Sequence, residues 1–582
     1  MPLARTWSPH VCPAVHQRAI AIVAELLGVV LLFAIVTALV FRQWLPHLAS
    51  ALIGPPEDNM QDLWSAWYAA VGRQPGQFFF TDLLRFPEGT FLYLHAFAYP
   101  KMIAITLLTQ LVGTDMGTLV LLHNLSLLIS FPLAGAGAFC LARHLTGSPA
   151  GALLGGFVFA FNPSHVAHTM HHAGVASIEL IPPFVLLYLL ACERKSPVLL
   201  ALAVVFYALA ALSSWYYLVY LACFIVFHLL YVAIRDRRLP RGWQLAPAVA
   251  CPLAVVAILA PLLIPMAGAA MDVAPAAGSA PAPYVADLLG FAAFPPFHAL
   301  APLADGLYAR FTGNAWEATV YLGLANVPLV AWALLSARAR SAPVLTYALC
   351  GTAVFCVLAC GSRLHVLGHA TVPLPGTAIS WLPLASIMQA PSRAIVLAYL
   401  LLAVAVAEAV RLLWHEGRPL ARGALLGLMA LIAADHVPVR PLVMTPVACP
   451  AGLGIIRDDP EPGFGVLDLP PHGYRERNFY MLQQVCHGRP IVLGNTSRRL
   501  ADTLGDHLDT WTVETQRRQL MAAKVKYIVL RPQVVDAAVS TTGPAVESLP
   551  FAWHREDAPR PHYDATYTPI HDGPDLAIFR VY

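Results

Sequence analysis

Charge is what this sequence has least of. In 582 residues Lys and Arg number 36 and Asp and Glu 33, or 12% of the chain, roughly half the share usual in a soluble globular protein. The scarcity is uneven: 30 of these residues fall within 445–582, leaving 39 for the 444 residues before it. A soluble fold cannot cover so long a stretch with so little charge, whereas a bundle of membrane helices has lipid to cover it. A net charge of +3 supplies no basic face for nucleic acid. There is no P-loop, GxGxxG, HExxH or GxSxG, so nucleotide-driven pumping and standard hydrolase chemistry lose their usual footing. A cytosolic enzyme, a nucleic-acid binder and a disordered chain are excluded. None of the ten cysteines forms a CxxC pair. Eight lie in or before the apolar runs, where packing is their role. Cys449 and Cys486 lie in the polar tail and are a disulfide candidate, although spacing alone says nothing of their distance.

Hydrophobic length is what the chain does have. A first apolar run at 19–41 is too long for a signal-peptide core and suits a spanning helix. Further runs fall at about 118–142, 150–163, 175–192, 197–213, 215–234, 245–268, 317–336, 343–360, 394–411 and 423–436. The run 98–113 is ambiguous, with Pro100 and Lys101 at its head. If it lies in the interface, eleven spans remain and 14 basic residues fall in loops on one side against seven on the other. That asymmetry follows the positive-inside rule. The expectation is a polytopic α-helical membrane protein of about 11 spans in a bacterial cytoplasmic (inner) membrane, with its N-terminus cytoplasmic. Residues 1–440 form the transmembrane domain, with a first external loop at about 42–116. Residues 441–582 form an external, periplasmic α/β domain. Its strands are expected at 464–469, 490–493, 525–530 and 576–582, with a helix at 504–524.

Polar residues gather on the external side. Glu57, Asp58, Asp62, Trp64 and Trp67 follow the first span, and His165, His168, His171 and His172 fill a short connection. A carboxylate at the membrane surface can act as general base on an acceptor hydroxyl, or bind a metal ion together with Asp62. The tryptophans offer faces for sugar rings or the membrane interface. If helical, His165, His168 and His172 share one face at i, i+3 and i+7, fit to ligate a metal or to meet a phosphate when protonated. A divalent metal therefore has candidate ligands in Asp58, Asp62, His165, His168 and His172, and no other cofactor is implied. Arg393 is placed to grip a lipid-linked phosphate, with Lys101 a second candidate and Glu317 a candidate for a sugar hydroxyl. In the tail, Arg475, Arg477, His487 and Arg498 are candidates for contact with an acceptor glycan.

The stretches Glu57–Trp67, 80–89, 142–148, Phe161-Asn162-Pro163 with the histidines after it, and Gln389-Ala390-Pro391-Ser392-Arg393 resemble the GT-C class of integral-membrane glycosyltransferases. More narrowly they resemble bacterial membrane proteins of the YfhO and mannosyltransferase-like groups. His487-Gly488-Arg489-Pro490 and Asn495-Thr496-Ser497-Arg498 look like the same group. The resemblance implies a donor sugar linked to a polyprenyl phosphate and a glycan, lipid or protein acceptor, among membrane lipids and without nucleic acid. It implies an acidic base shortly after the first span, which maps to Asp58, with Glu57 the competing choice. One departure stands out: the second acidic residue that many members carry after the third span is replaced here by the histidine run. The rival classes are a non-catalytic transporter or flippase of lipid-linked sugars, and a structural membrane protein. Against transport stands the scarcity of intramembrane charge and of internal repeats.

Overall fold

The computed structural model describes residues 13–73, 76–272, 283–377, 388–416, 419–471, 473–496, 502–531 and 559–582. Among the described residues five helices are long and apolar enough to cross a membrane: Val23–Val40, Met116–Thr146, Trp215–Asp236, Ala246–Ala270 and Pro391–His415. Shorter apolar helices accompany them at Pro149–Ala160, Pro197–Ser213, Leu324–Leu335 and Pro343–Ala359. In chain order the principal helices up to His436 are α1 (Pro13–Val40), α2 (Asp58–Trp67), α3 (Tyr99–Val112), α4 (Met116–Leu128), α5 (Ser130–Thr146), α6 (Pro149–Ala160), α7 (Pro163–Thr169), α8 (Ile181–Arg194), α9 (Pro197–Ser213), α10 (Trp215–Asp236), α11 (Ala246–Asp272), α12 (Val327–Leu335), α13 (Pro343–Ala359), α14 (Ile395–Glu416) and α15 (Pro419–His436).

Several expected runs are cut, each for a local reason. The run 150–163 ends at Ala160, because Asn162 is extended, its side chain accepts the His165 N–H at 2.8 Å, and Pro163 opens α7; an Asn cap followed by Pro is a helix start. The run 175–192 is α-helical only from Ile181. The run 317–336 becomes helical only after Gly323, whose φ of +87° turns the chain before the short turn Leu324–Asn326 and α12. The ambiguous run forms α3, 14 residues long. It exposes Ile103, Leu107, Leu108 and Leu111 on one side and buries Lys101, Met102, Ile105 and Thr109 on the other.

The centre of the bundle is α14, buried from Ile395 to Val410. It packs against α6 at backbone distance: a Cβ added at Gly151 or Gly155 would stand 2.4 or 2.6 Å from the carbonyl oxygens of Ala407 and Ala403. Small residues spaced by four permit such an approach where water provides no hydrophobic drive. Glu408, within α14, is buried and is held by Arg411 three residues on, at 2.6 and 2.7 Å.

Outside the helices, β1 is Ala51–Ile53, β2 (Phe80–Thr81) pairs with β3 (Thr90–Phe91), β4 (Arg363–Val366) pairs with β5 (His369–Pro373), and β6 (Met444–Pro446) returns to pair antiparallel with β1. Gly54 closes that pairing. Its N–H donates to Val443 O at 2.9 Å, its φ is +103°, and an added Cβ would lie 1.8 Å from Met170 O. The tail carries a four-stranded sheet in the order β7 (Gly465–Leu469), β8 (Val525–Leu530), β10 (Ala577–Arg580), β9 (Pro569–Asp572), with β7 and β8 parallel and the rest antiparallel. Helices α16 (Tyr474–His487) and α17 (Val513–Ala522) belong to the same region, and Cys449 is disulfide-bonded to Cys486.

The segment 490–493 is not a strand of this sheet. Ile491 instead forms single bridges to Val466 and to Leu84 of the loop after α1. The expected helix 504–524 is two pieces, Leu504–His507 and α17, because Asp509 turns the chain by accepting the N–H groups of Trp511 and Thr512. The long loop after α1 and the tail share one apolar core, in which Trp64, Leu84 and Phe97 lie with Leu467, Tyr480 and Ile528. The α2 helix is therefore fixed by the tail as well as by the bundle.

Replacing Gly54 with Ala adds a methyl against a backbone oxygen in a conformation that L residues avoid. We expect Gly54→Ala to destabilise the protein by at least about 3 kcal/mol, the upper range of overpacking costs. A lower melting midpoint by scanning fluorimetry in detergent is the readout.

Candidate active site

Three parts of the fold, drawn from four stretches far apart in sequence, converge on one acidic group. The first is the start of α2, where Glu57 precedes Asp58. Asn59 fixes this turn by donating to Ile53 O at 3.1 Å and accepting the Glu57 N–H at 3.2 Å. Further along α2, Gln61 donates to Asn495 O at 3.0 Å and the Trp64 indole to Gln484 at 2.7 Å. The second segment is α7 and the turn after it. The third is made by Glu317, whose N–H donates to Asn314 at 2.8 Å, and by Arg393, in the short turn at the head of α14.

The contacts form a chain of alternating charge. His172 Nδ1 lies 3.0 Å from Asp58 Oδ2 and its Nε2 lies 3.5 Å from Glu317 Oε1. Arg393 grips Glu317 through Nε, at 3.0 and 3.2 Å from the two carboxylate oxygens, and through a second guanidinium nitrogen. Ser392 Oγ donates to Glu317 at 3.3 Å, and Tyr216 lies under the Arg393 guanidinium at 4.6 Å. His171 Nδ1 lies 3.2 Å from Glu57, and Arg475 takes the other Glu57 oxygen at 2.6 Å. The Tyr474 hydroxyl donates to Asp58 Oδ1.

The electrostatics follow from burial set against these partners. Burial pushes the Asp58 carboxyl up, but His172 and the Tyr474 hydroxyl outweigh it and hold it below the ordinary value. The hydrogen bond from His171 does most to lower Glu57, with Arg475 adding to it against burial. Glu317 is likewise held well below the usual range, as Arg393 and the imidazoles overcome its burial. His172 is opposed by burial yet raised to about 9 by Asp58 and Glu317, whereas burial drives His168 down to about 3. The group thus sets an imidazolium and two guanidinium ions against three carboxylates, a balance that allows so many charges to sit close together.

The structure brings together Glu57, Asp58, His168, His172, Glu317 and Arg393 of the residues expected from sequence. Asp62 and Lys101 line a small cavity next to the group with Ser65, His123, Ser126 and Ala173. Asp62 accepts the Ala173 N–H at 2.8 Å and Lys101 donates to Ala173 O at 3.2 Å. Two expected residues lie elsewhere. Trp64 is fully buried and stacked on Tyr68 at 5.0 Å, so it has no face for a sugar. His165 points into the bundle, 3.1 Å from Ser130 Oγ, 2.6 Å from Ala160 O and stacked on Phe131 at 4.0 Å. The expected shared face fails because α7 stops at Thr169, and His171 and His172 enter the site from the turn beyond it.

Tail candidates fare unevenly. Arg475 reaches Glu57, whereas Arg477 donates to Pro471 O at 3.4 Å and His487 is buried and accepts the Arg489 N–H. Arg498 lies outside the described residues. His171, Ser392, Tyr216 and Tyr474 were missed. His171 lay off the helical face used to choose its neighbours, and nothing in the sequence ties Tyr474 to Asp58, 416 residues earlier.

Among the described residues, His168, His172 and Glu317 offer ligand atoms that all lie within 4.8 Å of one another. Two imidazoles and a carboxylate are a donor set suited to a borderline divalent cation such as zinc. Of the metal candidates from sequence, His168 and His172 belong to this set, joined by Glu317; Asp58, Asp62 and His165 lie outside it.

A family model described as Domain of unknown function (DUF6311) matches residues 109–436. The chain belongs to this family. No curated protein matches the DUF6311 chain. Solved structures similar to it include the archaeal oligosaccharyltransferase AglB from Archaeoglobus fulgidus in complex with an inhibitory peptide and a dolichol-phosphate. That likeness has 13% identity and a TM-score of 0.45, covering 87% of this chain and 69% of that one. Another is the arabinofuranosyltransferase AftD from Mycobacteria, with 13% identity and a TM-score of 0.49, covering 95% and 40%. A third is ArnT from Cupriavidus metallidurans bound to undecaprenyl phosphate, with 13% identity and a TM-score of 0.41, covering 95% and 98%. Likenesses at these values leave the function of the DUF6311 chain to be argued from its own side chains.

Asp62 yields a pH test. Burial raises its pKa from 3.8 to about 7, so the folded protein keeps a proton that the unfolded chain releases. Between these values stability falls as pH rises, and it levels off above them. In Asp62→Asn this component should vanish, giving a flatter melting midpoint from pH 4 to 7 than wild type in detergent.

Proposed function

We propose that this protein is a GT-C-like glycosyltransferase that moves a sugar from a polyprenyl-phosphate-linked donor to a glycan, lipid or protein acceptor at the external face of a bacterial cytoplasmic membrane. The observation that carries this reading is the Asp58 carboxylate at the head of α2, held at 3.0 Å by His172, with Glu317 and Arg393 directly behind. A carboxylate kept ionised is fit to accept a proton, and cations beside it are fit to receive a leaving anion.

In this reading Asp58 takes the proton of the acceptor hydroxyl as its oxygen attacks the anomeric carbon, with inversion of configuration. The bond to the lipid phosphate breaks, and its electron pair leaves on the phosphate. Arg393 keeps N–H donors beyond those spent on Glu317, since a guanidinium carries five, and turns them toward the departing charge, while His172 adds positive charge nearby. Glu317 orients both cations instead of holding a sugar hydroxyl. Glu57 is set aside as base because the Arg475 guanidinium pairs with the oxygen that His171 leaves, whereas the second partner of Asp58 is a neutral hydroxyl. A divalent ion, when bound, would rest on His168, His172 and Glu317 and add charge for the leaving phosphate. Residues 441–582 are assigned to the external side, where they bear on the acceptor.

The test replaces the chromosomal copy with Asp58→Asn, beside a deletion, in the native host. Lipids and surface glycans are then compared by mass spectrometry. Asp58→Asn should accumulate a polyprenyl-phosphate sugar, lack one glycan residue and lose about 10²–10⁴-fold in transfer, the usual worth of a general base. A wild-type profile in Asp58→Asn beside an altered one in the deletion overturns the assignment.

A further inference from the structure

Asp58 does not face an empty subsite. Its Oδ2 is engaged by His172 at 3.0 Å, and its Oδ1 accepts a hydrogen bond from the hydroxyl of Tyr474, the first residue of α16. A phenol donating to this carboxylate has the same donor, acceptor and direction of bond as an alcohol about to be deprotonated by it. The proton stays on the phenol, because the desolvated hydroxyl end and the charge of Asp58 raise its pKa above the ordinary value.

Two features make the contact reversible. The helix is anchored away from Tyr474: Gln484 donates to Leu83 O at 2.6 Å and accepts the Trp64 indole, and Tyr480 is fully buried with its hydroxyl on Pro470 O at 2.7 Å. Tyr474, by contrast, is 53% exposed. A side chain held at its hydroxyl and otherwise half in solvent can leave by rotating between staggered wells while its helix stays in place. Arg475 beside it, on Glu57 at 2.6 Å and 44% exposed at its side chain, closes the same rim.

We propose that Tyr474 is the specificity residue on the acceptor side: its hydroxyl holds the seat on Asp58 that an acceptor hydroxyl takes, and keeps water from that seat until the acceptor displaces it. The inference rests on the transferase reading above. In transfer the acceptor oxygen bonds to the anomeric carbon, its proton goes to Asp58, and the carbon–oxygen bond to the lipid phosphate breaks with its electron pair on the phosphate. In the wasteful reaction that Tyr474 suppresses, water makes the same displacement and free sugar is released.

Tyr474→Phe removes the hydroxyl and retains the ring, so the packing of α16 is preserved. Cells carrying wild type, Tyr474→Phe or Asp58→Asn, matched for abundance of the protein in the membrane, are fed uniformly ¹³C-labelled glucose. Label is followed by mass spectrometry into lipid-linked sugar, surface glycan and released free sugar. In Tyr474→Phe the ratio of released to glycan-bound label should rise about tenfold, the scale of one hydrogen bond to a charged group, and the lipid-linked pool should shrink. A ratio equal to that of wild type, or an accumulation of lipid-linked sugar as in Asp58→Asn, overturns the role of Tyr474. A wild-type profile in Asp58→Asn overturns the transferase reading itself.

Discussion

The contact on which this end of the molecule depends is His172 between Asp58 and Glu317. One imidazolium joins the loop after the first helix, the turn after α7 and the segment before α12, and through Glu317 it reaches Arg393 at the head of α14. Three carboxylates this close and this desolvated would repel one another strongly without intervening cations. Removing a single member leaves an uncompensated charge, so the group is stable as a whole. It also joins the two halves of the fold, because Arg475 completes the balance from the tail.

Position along the chain hides how much of this geometry the tail imposes. The pairing of β1 with β6 brings residues near 50 and 445 together, and Ile491 bridges to Leu84. Trp64 and Gln484 then fix the rotation of α2 about its axis. The aim of Asp58 is accordingly tied to a hydrogen bond six residues along its own helix, made to a residue of α16.

How much was legible follows from range. Membrane character, the length of α3 and the concentration of polar chemistry near residue 58 were readable, because each is a property of composition or of a short window. His168 and His172 were found by spacing, yet for a reason that failed: α7 ends at Thr169, and His172 arrives through a turn. The same spacing selected His165, which packs on Phe131. Trp64 reads from sequence as a face for a sugar or the membrane interface, because composition cannot tell an open ring from one beneath a domain 420 residues away in sequence. The segment 490–493 has strand composition, but its pairing is divided between the sheet and the first loop, so only Ile491 forms bridges. Tyr474 was invisible, since its meaning lies wholly in a long-range contact.

The pair formed by Glu408 and Arg411 has a consequence for how the protein is made. A single charged side chain at the centre of a bilayer costs about 2.5–3.5 kcal/mol during insertion. Here both signs are carried one turn apart on the same helix, at 2.6 Å. The most enclosed helix of the bundle therefore brings its own counterion for its one buried carboxylate. Partner helices need supply no charge to it, and α6 meets it with glycines pressed against its backbone.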